Sequence, residues 1–404
     1  MKRLLVSLLW MGLACSLAAQ SDRTAYEHLL KQFHTYVDNG ELAGTVIFLE
    51  KNGILTKDVY GYADTEKQTP ISENSLFRFA SMTKPLTATA IMQLVEKDKL
   101  SLDDPVATYI PAVAQMRVFD GTTSGRLPER TMTIRHLLSH TSGITSRFDF
   151  SDAGKAANKK MTGLETNTLE ELIDLICQTH LAFEPGEGWA YGYSNDLLAY
   201  IVEKVSGTPI DVYFDKHIFQ PLDMHHTSFQ TSNPDMLTSL HATRPEGGIQ
   251  VVESPANSQY VTGENMPRGN TGLIGTAGDY LNFCRMILNK GTWNAKLILT
   301  PASMKVMQEN VVKKKFFPIQ VASNEMYGQG YGLGVGVVME QSPFGTKGDI
   351  YWPGAYYTYF FVNPEQETIA IFMTQLFDMS RMNMIWEFHD LATKALDSFP
   401  SDGK

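Results

Sequence analysis

The chain has 404 residues, 34 lysines and arginines against 44 aspartates and glutamates, a formal net charge of −10, and 43% hydrophobic residues. An acidic balance argues against nucleic-acid binding, which needs basic neutralisation of phosphates. No apolar run of about 18 residues follows residue 20, so no spanning helix is expected. Aromatics at 11%, spread along the chain, argue for a packed globule over disorder.

The N-terminus, MKRLLVSLLWMGLACSLAAQ, has a positive start at Lys2 and Arg3, an apolar stretch from Leu4 to Ala14, and small residues before Gln20. That pattern is a secretory signal peptide over 1–19, leaving 20–404 as one catalytic-size domain, periplasmic or secreted. The rival reading, lipid attachment at Cys15, has Gly12 where such sites usually carry leucine. Export permits disulfides. Yet Cys177 shares a helical apolar stripe with Leu169, Leu172, Ile173 and Ile176, and Cys284 lies in a similar pattern with Leu281 and Leu288. Two buried free thiols are expected.

Next, AGTVIFLEKNGILTKDVYGYA places two β-branched runs about Asn52–Gly53, the strongest short hairpin signal. A helix opens near Ser81, and residues 81 to about 310 read mainly as helix and loop. Leu198, Ile201, Val202 and Val205 define another helix, beginning near Asp196 and stopped by Gly207 and Pro209. Strands return in YGLGVGVVME, AYYTYFFV and TIAIFMTQL, and MNMIWEFHDLATKAL closes the chain as a helix. The order predicts an α+β fold, its antiparallel sheet built from both chain ends with a helical subdomain inserted.

Three stretches can carry chemistry. In Ser81-Met82-Thr83-Lys84, residues three apart share a helix face, so an amine can reach the serine oxygen. Serine needs such a base, and lysine serves only if burial or a nearby cation lowers its pKa. The spacing alone is weak: Ser401-Asp402-Gly403-Lys404 also fits, and Ser81 is equally readable as a helix cap. In PGEGWAYGYSNDLLAYIVEKVSG, both Tyr191 and Tyr193 stand on a loop ahead of a helix, where a phenol can relay protons or pack on Trp189. Tyr280-Leu281-Asn282 matches Tyr-x-Asn but lies in a helical apolar pattern. In Asp349-Ile350-Tyr351-Trp352-Pro353-Gly354-Ala355-Tyr356, Gly354 opens a strand and allows close substrate approach, Pro353 marks an edge or bulge, and the Ala355 N–H is free for an oxyanion. His136 and His140 are four apart, but Leu137 replaces the glutamate of a zinc-peptidase motif and no third ligand suggests itself. Neither a metal nor another cofactor is expected.

Together and in this order, these pieces resemble the serine β-lactamase and penicillin-binding-protein superfamily, closest to the class C β-lactamase-like group that includes the family VIII carboxylesterases. FRFASMTKPLTATAIMQLVEKDKLSLDDPV is similar to its nucleophile helix, IRHLLSHTSGI to the following segment, NTGLIGTAGDYLNFCRMIL to its late helix, and WPGAYYTYFFVNPEQETIAIFMTQ to the Trp-Gly-Gly strand of the esterase branch. The resemblance implies Ser81 as nucleophile and Lys84 as its proton partner. Esterase members carry Trp-x-Tyr-Gly-x-Ser-x-Asp-x-Leu, which points to Tyr191, while Tyr193-Ser194-Asn195 imitates the Tyr-x-Asn of β-lactamases. Pro353 departs from the usual glycine. An oxyanion hole of the Ser81 and Ala355 N–H groups follows, with Trp352 and Gly354 binding substrate. β-Lactamases and transpeptidases carry a lysine at the Trp352 position. Trp352 instead offers a flat apolar surface and one N–H, which suits a neutral short-to-medium acyl ester; Lys347 reads as a turn lysine. The alternatives are a β-lactamase, a D-amino-acid peptidase or amidase, and a non-catalytic envelope-binding protein. Sequence leaves the oligomeric state open.

Overall fold

A computed structural model describes residues 24–146, 155–156, 158–160, 167–321, 324–340 and 345–399. The expected signal peptide, Cys15 and Ser401–Lys404 lie outside the described residues. Strands β1 (Gly44–Lys51) and β2 (Ile54–Asp64) pair antiparallel with Lys51 opposite Ile54, so Asn52 and Gly53 alone form the turn, at φ 52° and 78°. Positive φ at both central positions marks a type I′ hairpin turn, which asparagine and glycine accept at little cost. Strand β3 (Thr69–Pro70) adds to the β2 edge.

The later strands are β4 (Gln329–Tyr331), β5 (Gly336–Val338), β6 (Ile350–Pro353), β7 (Tyr359–Asn363) and β8 (Thr368–Met373). They join the first three in one antiparallel sheet of order β4-β5-β6-β7-β8-β1-β2-β3. The β8–β1 seam, with Val46 opposite Met373, unites the two ends of the chain. The fold is therefore the expected α+β arrangement.

Helices α1 (24–38), α2 (Thr83–Glu96), α3 (Leu169–Cys177), α4 (Ser194–Ser206), α5 (Ala277–Leu288) and α6 (Asn383–Asp397) accompany this sheet. On one face, Phe33 of α1 and Phe388 of α6 pack on Phe372 with ring centroids 4.9 and 5.0 Å away. On the other, Tyr280 of α5 lies 5.0 Å from Phe360. Phe360 pairs with Ile371, the neighbour of Phe372, so the two aromatic clusters grip opposite faces. With both faces covered, β1 is buried along nearly its whole length rather than on alternate residues.

Three expectations change. The run YGLGVGVVME is two strands, β4 and β5, turned at Leu333–Gly334; Gly334 has φ 83°, and a Cβ there would meet the Ala88 methyl at 2.3 Å. Gly354 opens a turn rather than a strand: its N–H donates to the Thr358 carbonyl at 2.7 Å, and β7 begins only at Tyr359. The helical insert also holds strands, Leu240–Thr243 and Ile249–Glu253, which form a small sheet with Leu376–Phe377. Cys177 and Cys284 are free, as expected, although Cys177 is only partly buried. Among the described residues no helix is long and apolar enough to cross a membrane.

Candidate active site

The serine sits where a strand becomes a helix. Phe77–Arg78 pairs with Ile274–Gly275, after which Ala80–Met82 makes one 3-10 turn that runs directly into α2. Ala80 holds φ 47°, a left-handed conformation that costs a non-glycine residue about 1–3 kcal/mol. The turn is braced by Tyr280, whose hydroxyl donates to the Met82 carbonyl at 2.9 Å. Tyr280 is thus the structural residue that its apolar helix pattern predicted. Ser81 remains half-buried between buried Ala80 and Met82.

One turn on, the Lys84 amine lies 2.9 Å from Ser81 Oγ and 2.9 Å from the Asn270 carbonyl oxygen. Lys84 is fully buried. Burial holds its pKa well below the usual lysine range; Asp196 opposes that effect and Arg268 adds to it. A neutral amine keeps one N–H for Asn270 and a lone pair for the serine proton.

Tyr191 reaches the Ser81–Lys84 pair from the loop before α4. That loop is held against the segment after the short helix Ile134–Leu138: the Ala190 N–H donates to the His140 carbonyl at 2.9 Å, and a Cβ on Gly192 would lie 2.6 Å from Thr145 Cα. The Lys84 amine lies 4.5 Å from the Tyr191 ring centroid, and the Tyr191 hydroxyl is close enough to the Ser81 side chain to influence its own titration. Burial pushes its phenol well above the ordinary tyrosine value, which hydrogen bonds with Ser81 and Trp352 only partly offset. Tyr193, the other tyrosine, turns its hydroxyl to Asn158 Oδ1 in a long 3.5 Å contact. The structure brings Ser81, Lys84 and Tyr191 together and leaves Tyr193 out.

Trp352 and Gly354 require correction. Trp352 is only 1% exposed and presents no surface to substrate; its indole N–H donates to the Tyr191 hydroxyl at 3.2 Å. Tyr331 packs edge-on against it with ring centroids 4.9 Å apart. Gly354 is buried too, and a Cβ there would lie 2.4 Å from the Phe79 carbonyl oxygen and 2.1 Å from Thr358 Oγ1. Its missing side chain lets the β6–β7 turn close onto the chain just before Ser81, where Thr358 Oγ1 also donates to the Phe79 carbonyl at 3.1 Å. Ala355 follows, half-buried, and neither its N–H nor that of Ser81 bonds to another described residue. Pro353 pairs with Tyr359 alone, since β5 ends opposite Tyr351, so this end of β6 is an edge as its proline required.

The histidines have local duties. His136 Nδ1 accepts the Thr133 N–H at 3.2 Å, and His140 is buried with its ring 4.8 Å from that of Tyr191 and Nε2 3.3 Å from Asn195 Nδ2. Lys347 is exposed in a turn, its carbonyl accepting from Asn363 Nδ2 at 3.2 Å. Sequence reasoning missed Asn270 and Arg268 altogether. Asn270 acts through its main-chain carbonyl, which leaves no mark on residue type.

A beta-lactamase family model matches residues 29–394, nearly the whole described chain. The chain belongs to the beta-lactamase family. Among beta-lactamase relatives, Esterase EstB of Burkholderia gladioli is 31% identical over 288 residues, covering 66% of this chain and 69% of its own. Protein Rv1367c of Mycobacterium tuberculosis is 28% identical over 354 residues, covering 84% of this chain and 87% of its own. The solved structure of EstCE1, described as a hydrolase with promiscuous acyltransferase activity, superposes with a TM-score of 0.76 at 25% identity, over 94% of this chain and all of EstCE1. Simvastatin synthase from Aspergillus terreus shares the fold, with a TM-score of 0.75 at 19% identity over 94% of this chain and 99% of its own.

Proposed function

We propose that this protein is a carboxylesterase that acts through an acyl-enzyme on Ser81 and prefers neutral esters with short or medium acyl chains. The observation that carries the reading is the buried Lys84 amine 2.9 Å from Ser81 Oγ. Burial keeps the amine a base, while Tyr191 stays a protonated phenol. Ser81 Oγ bonds to the ester carbonyl carbon as its proton passes to Lys84 Nζ. The oxyanion is held by the N–H groups of Ser81 and Ala355, each worth about 10²–10³ in rate. As the C–O bond breaks, the Lys84 proton reaches the leaving alcohol through Tyr191. Water then attacks the acyl carbon, returns a proton by the same route, and frees Ser81 and the carboxylic acid.

The esterase reading is supported by the tryptophan at position 352, where a carboxylate-binding lysine would favour β-lactams, and by the named activities of EstB and EstCE1. We also read residues 1–19 as a signal peptide, so the enzyme works outside the cytoplasm. The test uses purified mature protein with p-nitrophenyl butyrate, nitrocefin and a fluorophosphonate probe. Butyrate turnover well above nitrocefin turnover is expected, and Ser81→Ala abolishes both turnover and labelling. Labelling that survives Ser81→Ala rejects the nucleophile, and nitrocefin turnover exceeding that of the ester rejects the substrate class.

A further inference from the structure

We propose that the buried Asp196–Arg268 ion pair is the positioning element of this site: it holds Asn270 so that its carbonyl anchors Lys84 against Ser81, and each charge of the pair offsets the other at the amine. The inference rests on the catalytic reading of Ser81 and Lys84 above.

The connection is continuous. Arg268 Nε and Nη2 donate to Asp196 Oδ1 and Oδ2 at 3.1 and 2.6 Å, a two-pronged match of guanidinium and carboxylate. Asp196 Oδ1 also accepts the Asn270 N–H at 2.9 Å, and the Asn270 carbonyl accepts from Lys84 Nζ at 2.9 Å. Both neighbouring helices clamp the intervening residue. A Cβ on Gly269 would fall 2.0 Å from the Asn195 carbonyl of α4, and Thr87 of α2 donates through Oγ1 to the Gly269 carbonyl at 2.8 Å. Asp196 has no exposure and Arg268 only 8%. A buried ion pair is weak evidence for stability, because apolar residues of similar volume often do as well or better. Its place one peptide away from the anchor of a buried amine is what it contributes here.

The groups facing Lys84 are Ser81 on its own turn, the Tyr191 phenol and His140 imidazole from two loops, Asp196 from α4, and Arg268 from the 268–270 segment. Burial and the nearby Lys84 keep the His140 pKa well below the usual histidine value, and the Tyr191 phenol is raised, so neither supplies a charge near neutrality. The pair therefore supplies the two charges that bias the amine. Asp196 alone would favour the ammonium, and Arg268 alone would favour the free amine.

The test is the pH profile of kcat/KM on p-nitrophenyl butyrate for the full mature chain, with circular dichroism confirming the fold of each variant. The acidic limb reports the protonation that Lys84 must lose. In Arg268→Gln the limb moves up, in Asp196→Asn it moves down, each by about one pH unit. In the charge-balanced double variant, and in Arg268→Lys, it returns to the wild-type position. Limbs that stay in place in both single variants, or that move in the same direction, overturn the proposal. If the single variants do not fold, Asp196→Glu decides: it keeps the charge but moves the carboxylate off the Asn270 N–H, so the limb stays in place while kcat falls about 10- to 100-fold, and an unchanged kcat overturns the proposal. Activity that survives Ser81→Ala would overturn the catalytic reading itself, whereas unmoved limbs in Arg268→Gln and Asp196→Asn on Ser81-dependent turnover overturn only the pair.

Discussion

The Trp352 indole N–H points at the Tyr191 hydroxyl from 3.2 Å, joining a sheet strand to the loop ahead of α4. A donor there steadies negative charge as the phenol passes its proton on. Trp352→Phe keeps the buried ring and loses the donor. A hydrogen bond to a developing charge is worth about 1.5–3 kcal/mol, so kcat falls about 10- to 100-fold. KM stays close to its wild-type value. Steady-state kinetics that leave kcat unchanged would remove Trp352 from the relay.

The two tyrosines separate cleanly. Tyr191→Phe removes the hydroxyl beside Ser81 and Lys84, and turnover drops by about 10²–10⁴, the usual share of an acid–base group. Tyr193→Phe removes only the contact to Asn158 and leaves kcat within a few-fold of wild type. Equal losses in the two variants would contradict this division of roles.

The same two pKa directions set the pH profile. Lys84 must be neutral to act, so kcat/KM rises with pH along an acidic limb and then levels off. Because the Tyr191 phenol is raised, its ionisation leaves the plateau intact up to about pH 10, the ordinary tyrosine value. A decline of initial rates well below that pH, with the fold intact, would assign the phenol a lower pKa than its burial demands.

A buried amine that supports catalysis weakens the fold. Between the depressed folded-state pKa of Lys84 and the ordinary lysine value, the unfolded chain binds one more proton than the folded chain, so stability climbs as pH rises through that window. Lys84→Met removes this penalty: Tm at neutral pH rises and loses that part of its pH dependence, while turnover falls by about 10²–10⁴. Thermal melts showing a lower Tm for the variant would mean that the amine stabilises the folded state.

Gly354→Ala tests the closure of the β6–β7 turn on the nucleophile. Its methyl would stand 2.4 Å from the Phe79 carbonyl oxygen, so the turn or the Ser81 segment must shift. Overpacking of this kind costs about 1–3 kcal/mol, and kcat falls along with stability in urea melts. An unaffected variant would show that the turn has room to give.

Much of this was legible from local rules. Asn52–Gly53 implied a two-residue hairpin, the apolar period of Leu198, Ile201, Val202 and Val205 implied α4, and the three-residue spacing of Ser81 and Lys84 implied a shared face. Helix α4 starts two residues before the apolar pattern suggests, because Ser194 and Asn195 carry no apolar signal although both are buried in the fold. Residue type shows that the Trp352 indole can stack or donate, while only its neighbours Tyr331 and Tyr191 decide what it meets. Asn270 and Arg268 lie more than 180 positions beyond Lys84, and no local pattern links them to it.

The sequence by itself determined the architecture, the shared face of Ser81 and Lys84 and the order of the motifs, because hydrophobic periods and i, i+3 spacings act within a few residues. Tertiary packing alone decided that Tyr191 rather than Tyr193 lies beside the Ser81–Lys84 pair, that the buried Trp352 indole faces Tyr191, and that the Lys84 pKa is depressed. The last follows from desolvation, which exists only once distant segments, the Asp196–Arg268 pair among them, have closed around the amine.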